Sequence, residues 1–205
     1  RRIAATLGNS GALINHKKVY RLMQVIGLKS LVKVKKYRSY RGAEGLVAPD
    51  LLKREFKAEA PNEKWATDVT EFKVKGQKLF LSPLMDLYNG EILAYQINRR
   101  PEFRMVSTML EKAFGRLNQG DKPILHSDQG WQYRQPTYRH MLAEKSIEQS
   151  MSRKGNCLDN AAMESFFGTL KSEFFYLESF ESVEQLASGI EDYIAYYNQD
   201  RISLR

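Results

Sequence analysis

Between Lys64 and Asn98 the apolar residues fall in short runs that favour strands. Lys64 to Val74 carries Trp65, Val69, Thr70 and Phe72, and Lys75-Gly76-Gln77 turns it. Lys78 to Leu87 is apolar almost throughout, although Pro83, which has no ladder donor, argues for an edge strand or a bulge. Asn89-Gly90 signals a hairpin turn, and Glu91 to Asn98 reads as a third strand. The period then changes. From Glu102 to Leu117, the residues Val106, Met109, Leu110, Ala113, Phe114 and Leu117 recur at helical spacing. Pro123 to Ser127 predicts a short buried strand that opens into a loop at Asp128. A helix around Gln135 to Glu144 and a strand around Ile147 to Met151 follow. In Ser152 to Lys171, Gly155 and Asn156 break any regular element, and Asp159 or Asn160 is placed to cap the next helix. On that helix Met163, Phe166, Phe167, Leu170 and Phe174 make an apolar stripe. Asn160, Glu164, Gly168 and Lys171 share a second face, because steps of four and three return to one side. A last helix, from about Val183 to Asn198, carries Tyr193, Tyr196 and Tyr197. The order β-β-β-α-β-α-β-α-α predicts a mixed α/β sheet with helices packed on it.

The first 60 residues follow a different pattern. Arg1 to Leu7 reads as the end of a helix and Gly8 to Gly11 as a turn. Asn15 is placed to cap a helix running to Ile26, with Val19, Leu22, Met23 and Ile26 inward and Gly27 just past its end. Lys17, Lys18 and Arg21 point outward. Two readings fit this stretch equally: part of a DNA-binding helix-turn-helix, or a helical hairpin whose lysines only solubilise it. From Lys29 to Arg41 basic residues (Lys33, Lys35, Lys36 and Arg38 among them) alternate with aliphatic and aromatic ones, as in an extended arm laid along phosphates. Tyr37 and Tyr40 are placed to stack or pack. Gly42 to Pro61 reads as linker, with a short helix around Leu51 to Phe56. The expected organisation is a partial helix-turn-helix-like segment over 1–30, a basic arm and linker over 31–60, and a core over 61–205.

Charge sharpens this division. The net charge is +8. Residues 1–60 hold 14 Lys and Arg against 4 Asp and Glu, whereas residues 61–205 hold 18 against 20. The basic excess therefore sits ahead of the core, as it does in nucleic-acid-binding arms. A merely solvated basic tail is the alternative. No apolar run reaches 18 residues, which excludes a helical membrane span. A single cysteine excludes a disulfide framework and suits a reducing cytoplasm. Cys157 with His16, His126 and His140 cannot make a Cys/His zinc cluster. The chain starts at Arg1 rather than Met, so it is expected to be a piece of a longer protein.

Three carboxylates stand out against these elements. Asp68 lies within the first strand, Asp128 just past a strand end, where open α/β sheets place their sites, and Glu164 on the amphipathic helix. A carboxylate inside a strand is costly to bury unless paired or bound to metal; an outward-facing Asp is the alternative. The spacing and its surroundings (W-A-T-D-V-T, L-H-S-D-Q-G-W-Q-Y, S-R-K-G-N-C-L-D-N-A-A-M-E-S-F-F-G-T-L-K and Y-Y-N-Q-D-R) resemble the second-reading-frame product of the bacterial insertion-sequence family three transposases. These are DDE enzymes related to retroviral integrases, and the resemblance covers nearly the whole chain.

The resemblance implies an RNase H-like core with a mixed five-stranded sheet, and metal-dependent DNA cleavage and strand transfer. It makes Asp68, Asp128 and Glu164 the catalytic metal ligands and Lys171 a DNA contact. Two Mg²⁺, replaceable by Mn²⁺, suit such a set, because hard ions prefer oxygen ligands and a pair of them serves phosphodiester transfer. Asp68 is the candidate for the ligand shared between the ions. Asn160, Arg153 and Lys154, beside Glu164 in sequence, join Lys17, Lys18, Arg21, Lys33, Lys35, Lys36 and Arg38 as expected DNA contacts. DNA ends and target, further copies of the chain, and an upstream reading-frame product are the implied partners, in a bacterial cytoplasm at the nucleoid. The zinc-binding domain of retroviral integrases is missing, and the chain stops at Arg205, before the terminal segment such transposases usually carry. Two other readings stay open: an RNase H-like nuclease that cuts without joining, and a DNA-binding transposase remnant.

Overall fold

The longest strand organises the sheet. In the computed structural model, which describes residues 1–29, 47–153 and 157–202, β3 (Gln77–Asp86) is paired along both edges. On one side it runs antiparallel to β4 (Ile92–Asn98); on the other it faces both β1 (Lys64–Thr67) and β2 (Thr70–Val74). Thr67 lies opposite Leu84 and Thr70 opposite Leu81, so the register runs on unchanged from β1 to β2. They are two halves of one strand, interrupted at Asp68 and Val69. Pro83 faces the gap. Its carbonyl accepts from Thr67 Oγ1 at 2.8 Å, so this edge of Pro83 faces β1, where proline has no N–H to offer. Of the two sequence readings of Pro83, an edge strand or a bulge, the first fails and the second fits the irregularity beside it. It sits in a doubly paired strand, and the cost falls on the partner ladder beside Asp68. A register shift against β4 follows at Leu84/Met85.

β5 (Ile124–Ser127) pairs parallel with β1, and β6 (Glu148–Met151) parallel with β5. The sheet thus runs β4, β3, β1/β2, β5, β6, the mixed five-stranded arrangement once the two halves are taken together. Strand alternation sends neighbouring residues to opposite layers. Trp65, Leu84 and Leu125 pack against α3 (Phe103–Phe114) and α4 (Pro136–Glu144). Ala66, Phe72, Leu81 and Met85 pack against α5 (Ala161–Leu170) and α6 (Val183–Gln199). The whole apolar stripe of α5, Met163 through Phe174, is buried there.

After Leu170 the helix relaxes into a π-turn over Lys171–Phe175, which carries Phe174 against α6. Gly189 leaves the room: a Cβ there would stand 2.5 Å from Phe174 Cζ. Gly189→Ala is expected to destabilise the fold by about 1–3 kcal/mol through overpacking. Chemical unfolding of Gly189→Ala, with Phe174→Leu as a relieving second change, tests this. An unaltered midpoint would show that the ring yields freely.

The amino-terminal pair, α1 (Arg2–Asn9) and α2 (His16–Val25), has the expected ends. Asn15 accepts from Lys17 N at 2.9 Å, and Gly27 takes φ +72°. The expected inner face does not hold. Val19 is buried, but Leu22 and Ile26 are 45% and 66% exposed. Two short helices present more apolar face than they cover for each other. Arg2 ties the pair to the π-turn through Glu173, at 2.7 Å.

The expected short helix around Leu51 to Phe56 is also absent. Residues 47–54 lie along β6 instead: Met151 N donates to the Pro49 carbonyl at 3.1 Å, and Leu51 N to Ser150 Oγ at 2.9 Å. Lys53 and Arg54 turn with φ of +48° and +70°, which no helix accommodates, and Leu52 drops into the core. The open edge of β6 takes up backbone bonds that a helix would have kept for itself.

Candidate active site

β1 and β5 set the geometry. Ala66 pairs with His126, and each strand reaches its carboxylate two residues later, Asp68 on one and Asp128 on the other. The two acids therefore stand at the same level, at the carboxyl ends of adjacent parallel strands. Ala66 faces the α5 layer, so alternation turns Asp68 the same way. Glu164, in the first turn of α5, faces them from that layer. The lone chain break in the sheet provides the space: at Asp68 the Val69 N–H donates to Oδ1 of the Asp68 side chain at 2.7 Å rather than to a neighbouring strand.

Electrostatics show that the acids and one cation share a neighbourhood. Burial pushes the Asp68 carboxyl well above the usual range, and the charges of Asp128 and Glu164 push it further. The Val69 amide and the Lys171 ammonium pull it back. Burial also raises Asp128, against the Gly130 amide and Arg134, and raises Glu164. Gly130 N donates to Asp128 Oδ1 at 2.8 Å, and a Cβ on Gly130 would stand 2.9 Å from that same oxygen. Only glycine lets the backbone approach so closely. Tyr133 and Tyr138, T-stacked at 5.4 Å, close the opposite layer beneath the acids, with their hydroxyls buried.

Among the described residues no three His, Cys, Asp or Glu side chains converge tightly enough to hold an ion together. The donor set nonetheless suits a hard divalent cation. It consists of oxygen ligands whose burial and mutual repulsion a cation would relieve, with no thiolate or imidazole among the acids. His126, next to them in sequence, is committed elsewhere: its ring nitrogens meet Ser150 Oγ at 2.8 Å and Ser152 Oγ at 3.2 Å, and burial keeps its pKa low.

The remaining expected contacts divide into three groups. Lys171 stands at the end of α5 on the Glu164 face, its Nζ 2.6 Å from Thr70 Oγ1 and 5.1 Å from the Phe72 ring centre. Asn160 occupies the position before α5 without capping it; it is 4% exposed, and neither side-chain polar atom has a hydrogen-bond partner among the described residues. Arg153 has its guanidinium donating to Asp159 at 2.9 and 3.0 Å and keeps much of its side chain exposed. Asp159, offered as a cap, is thus engaged by arginine. Lys17, Lys18 and Arg21 are exposed on α2. Lys33, Lys35, Lys36, Arg38, Arg41, Tyr37, Tyr40 and Lys154 lie outside the described residues. Sequence reasoning missed the Arg54–Asp159 pair and the Tyr133–Tyr138 floor; only the Q-Y of the quoted motif pointed to the latter.

Comparisons with known proteins agree with this fold. A model of the integrase core domain matches residues 58–157, and a second integrase core domain model matches residues 164–205. InsK of insertion sequence element IS150 from Escherichia coli strain K12, a transposase by name, is 56% identical over 205 residues, which are 100% of this chain and 72% of that protein. A transposase-like protein of Haemophilus influenzae is 57% identical over 189 residues, 92% of this chain and 87% of its own. Among solved structures, the HTLV-2 integrase catalytic core domain in complex with magnesium superposes with a TM-score of 0.57 at 19% identity, covering 71% of this chain and 91% of that one. A chain of the simian T-cell lymphotropic virus intasome gives 0.58 at 18%, covering 82% and 57%.

Proposed function

Since the chain belongs to the insertion-sequence family three transposases with an integrase catalytic core, and so is a polynucleotidyl transferase that cuts DNA and transfers strands, we propose that Asp68, Asp128 and Glu164 are its metal ligands. The observation that carries this is that Asp68 and Asp128 stand level at the ends of two adjacent parallel strands, with Glu164 and Lys171 near enough for their charges to bear on Asp68. The family works with divalent metal; two Mg²⁺ ions, with Mn²⁺ as substitute, suit this donor set. Bound there, they activate the attacking oxygen and offset the charge that gathers on the leaving one.

The chain's own residues do the rest. Asp68 supplies the shared carboxylate and Asp128 the second. Glu164 comes from a separate helix, so it completes the set when DNA is in place. Lys171 leaves Thr70 for a backbone phosphate, and the unpartnered Asn160 amide meets a second polar group of the DNA on the same face. Lys17, Lys18 and Arg21, with Lys33, Lys35, Lys36 and Arg38, bind phosphates away from the chemistry. Nothing in this scheme requires a covalent protein–DNA intermediate. The partners are the element's ends and target DNA, further copies of this chain, and the upstream reading-frame product, in the cytoplasm at the nucleoid. No helix among the described residues is long and apolar enough to cross a membrane.

Metal binding tests the site directly. A carboxyl raised by folding holds a proton that the unfolded chain has released. Its contribution to stability therefore falls as pH rises from the ordinary carboxylate range through the raised value. Asp68, Asp128 and Glu164 all act in this direction. The metal-free protein is expected to melt lower as pH rises through that window, and Asp68→Asn is expected to melt above the parent at neutral pH. Mn²⁺ at one hundred times its Kd adds about 2.7 kcal/mol, or roughly 5–10 °C for a chain of this size, to the parent but not to Asp68→Asn. Scanning calorimetry at two pH values reads all of this. An equal Mn²⁺ shift in Asp68→Asn would remove Asp68 from the site.

A further inference from the structure

We propose that Asp159, held between Arg153 and Arg54, is the positioning residue for Glu164, and that it ties α5 to the segment emerging from the basic arm. The inference rests on the reading of Glu164 as a metal ligand and goes beyond it to what fixes that ligand in place.

Asp159 has no exposed side-chain surface. Its Oδ2 accepts from Arg153 N at 3.1 Å and Arg153 Nε at 2.9 Å; its Oδ1 accepts from Arg153 Nη2 at 3.0 Å and Arg54 Nε at 2.9 Å. Hydrogen bonds from Arg153 and then Arg54 keep its carboxyl well below the usual range, against burial. A buried carboxylate met by two guanidiniums is paired rather than stranded.

The position of this knot gives it consequence. Arg153 leaves the end of β6, where Ser152 N donates to the Ser127 carbonyl at 2.9 Å. Asp159 lies in the 3-10 turn Cys157–Asn160 that runs directly into α5. The Arg153–Asp159 fork therefore closes the loop on itself and fixes where α5 begins. Glu164 sits in the first turn of that helix, five residues past Asp159, so the fork acts on its placement together with the buried Met163 beside it. Asn160 makes no capping bond, so the usual device for fixing a helix start is missing, and the charged fork stands in its place.

Arg54 reaches the knot from the opposite direction. Its turn hangs on Asp50, whose Oδ1 accepts from Lys53 N at 3.0 Å, and Asp50 Oδ2 lies 3.7 Å from Arg153 Nε. Asp50, Arg153, Asp159 and Arg54 thus alternate in sign. The segment that carries Asp50 and Arg54 is bonded to β6 and follows directly on the basic stretch of the chain. A pull on that stretch by bound DNA reaches α5 through Arg54 and Asp159.

The test is a double-mutant cycle in the complete transposase with Arg54→Gln, Asp159→Asn and the pair. Its readouts are Mn²⁺-dependent nicking of supercoiled plasmid, amide exchange over 160–167, and the salt dependence of binding to a nonspecific duplex. Each single change is expected to slow nicking by about 10- to 100-fold, the usual range for groups that orient metal ligands. The pair should be no worse than the poorer single, exchange at the start of α5 should quicken, and the salt slope should stay put. Arg54→Lys should recover part of the loss. Multiplying effects in the double variant, a flattened salt slope in Arg54→Gln, or faster exchange with undiminished nicking would each overturn the proposal. Glu164→Gln, run alongside, separates the two readings: if it nicks normally, the ligand assignment fails, whereas if it is dead and Arg54→Gln is normal, the positioning role fails. Should Asp159→Asn lose cooperative melting, Arg54→Gln and Arg54→Lys decide the matter alone, since Arg54 is half-exposed.

Discussion

Asp68→Asn, Asp128→Asn and Glu164→Gln are each expected to lower metal-dependent DNA cleavage and joining by about 10³-fold or more, with the fold intact. A divalent ion at a reacting phosphoryl group contributes several kcal/mol, and each 1.36 kcal/mol is about tenfold in rate. An amide keeps the shape of the acid but not the charge that holds the ion. The fold should survive because the three acids stand apart from both hydrophobic clusters and repel one another. Cleavage of the element's ends, and joining of a pre-cut end, should be measured separately in the complete transposase. Full activity in any one variant would strike that residue from the site. Joining lost with cleavage retained in the unaltered protein would point to a nuclease.

Removing residues 1–41 is expected to flatten the plot of log K against log salt by roughly 4 to 5 units. Each phosphate neutralised by Lys or Arg contributes about −0.9 on duplex DNA, and five or so contacts are proposed among Lys17, Lys18, Arg21, Lys33, Lys35, Lys36, Arg38 and Arg41. Lys171→Ala, one contact at the active site, should change the slope by only about one unit. The core tolerates the truncation, because Glu173 loses Arg2 but keeps Arg201, which donates to it at 2.9 and 3.1 Å. A truncated protein with the parent's slope would make the segment an assembly device, with its lysines solvated and its apolar residues docked on protein. The exposed Leu22 and Ile26 of α2 make that outcome specific enough to recognise.

The catalytic half of the sequence was legible because its signals are local. The strand ending at Ser127, the loop at Asp128 and the two stripes of α5 depend on periods of two and 3.6, which neighbouring residues enforce on one another. Pro83 left an edge strand and a bulge both open, and the edge half misled because that rule concerns a whole strand, whereas the missing donor affects only the one bond opposite Asp68, next to the bulge. The inner face of α2 misled for the opposite reason. Its period is genuine, but burial needs a partner surface, and α1 covers only Val19. The Arg153–Asp159 pair was not legible because charge in sequence does not reveal its partner, although Asp159 lies only six residues on. The docking of residues 47–54 on β6 depends on an edge far away in sequence, and no local pattern announces it.

The two halves of the sheet differ in how far the chain must reach to close them. β2, β3 and β4 zip through tight turns, Lys75 and Gly76 both taking positive φ at the first. The β1–β5 pairing that brings Asp68 beside Asp128 must instead wait for a partner about 60 residues away, a slow, entropically costly closure. β4 in turn is held at its start by Asn198, whose side chain accepts from Ile92 N at 2.9 Å and donates to the Ile92 carbonyl at 3.0 Å. During synthesis the antiparallel meander can form early through its tight turns, and the start of β4 gains this clamp only once Asn198 has emerged. The pair of acids, and then the helix bearing the third, come together only when most of the polypeptide has left the ribosome.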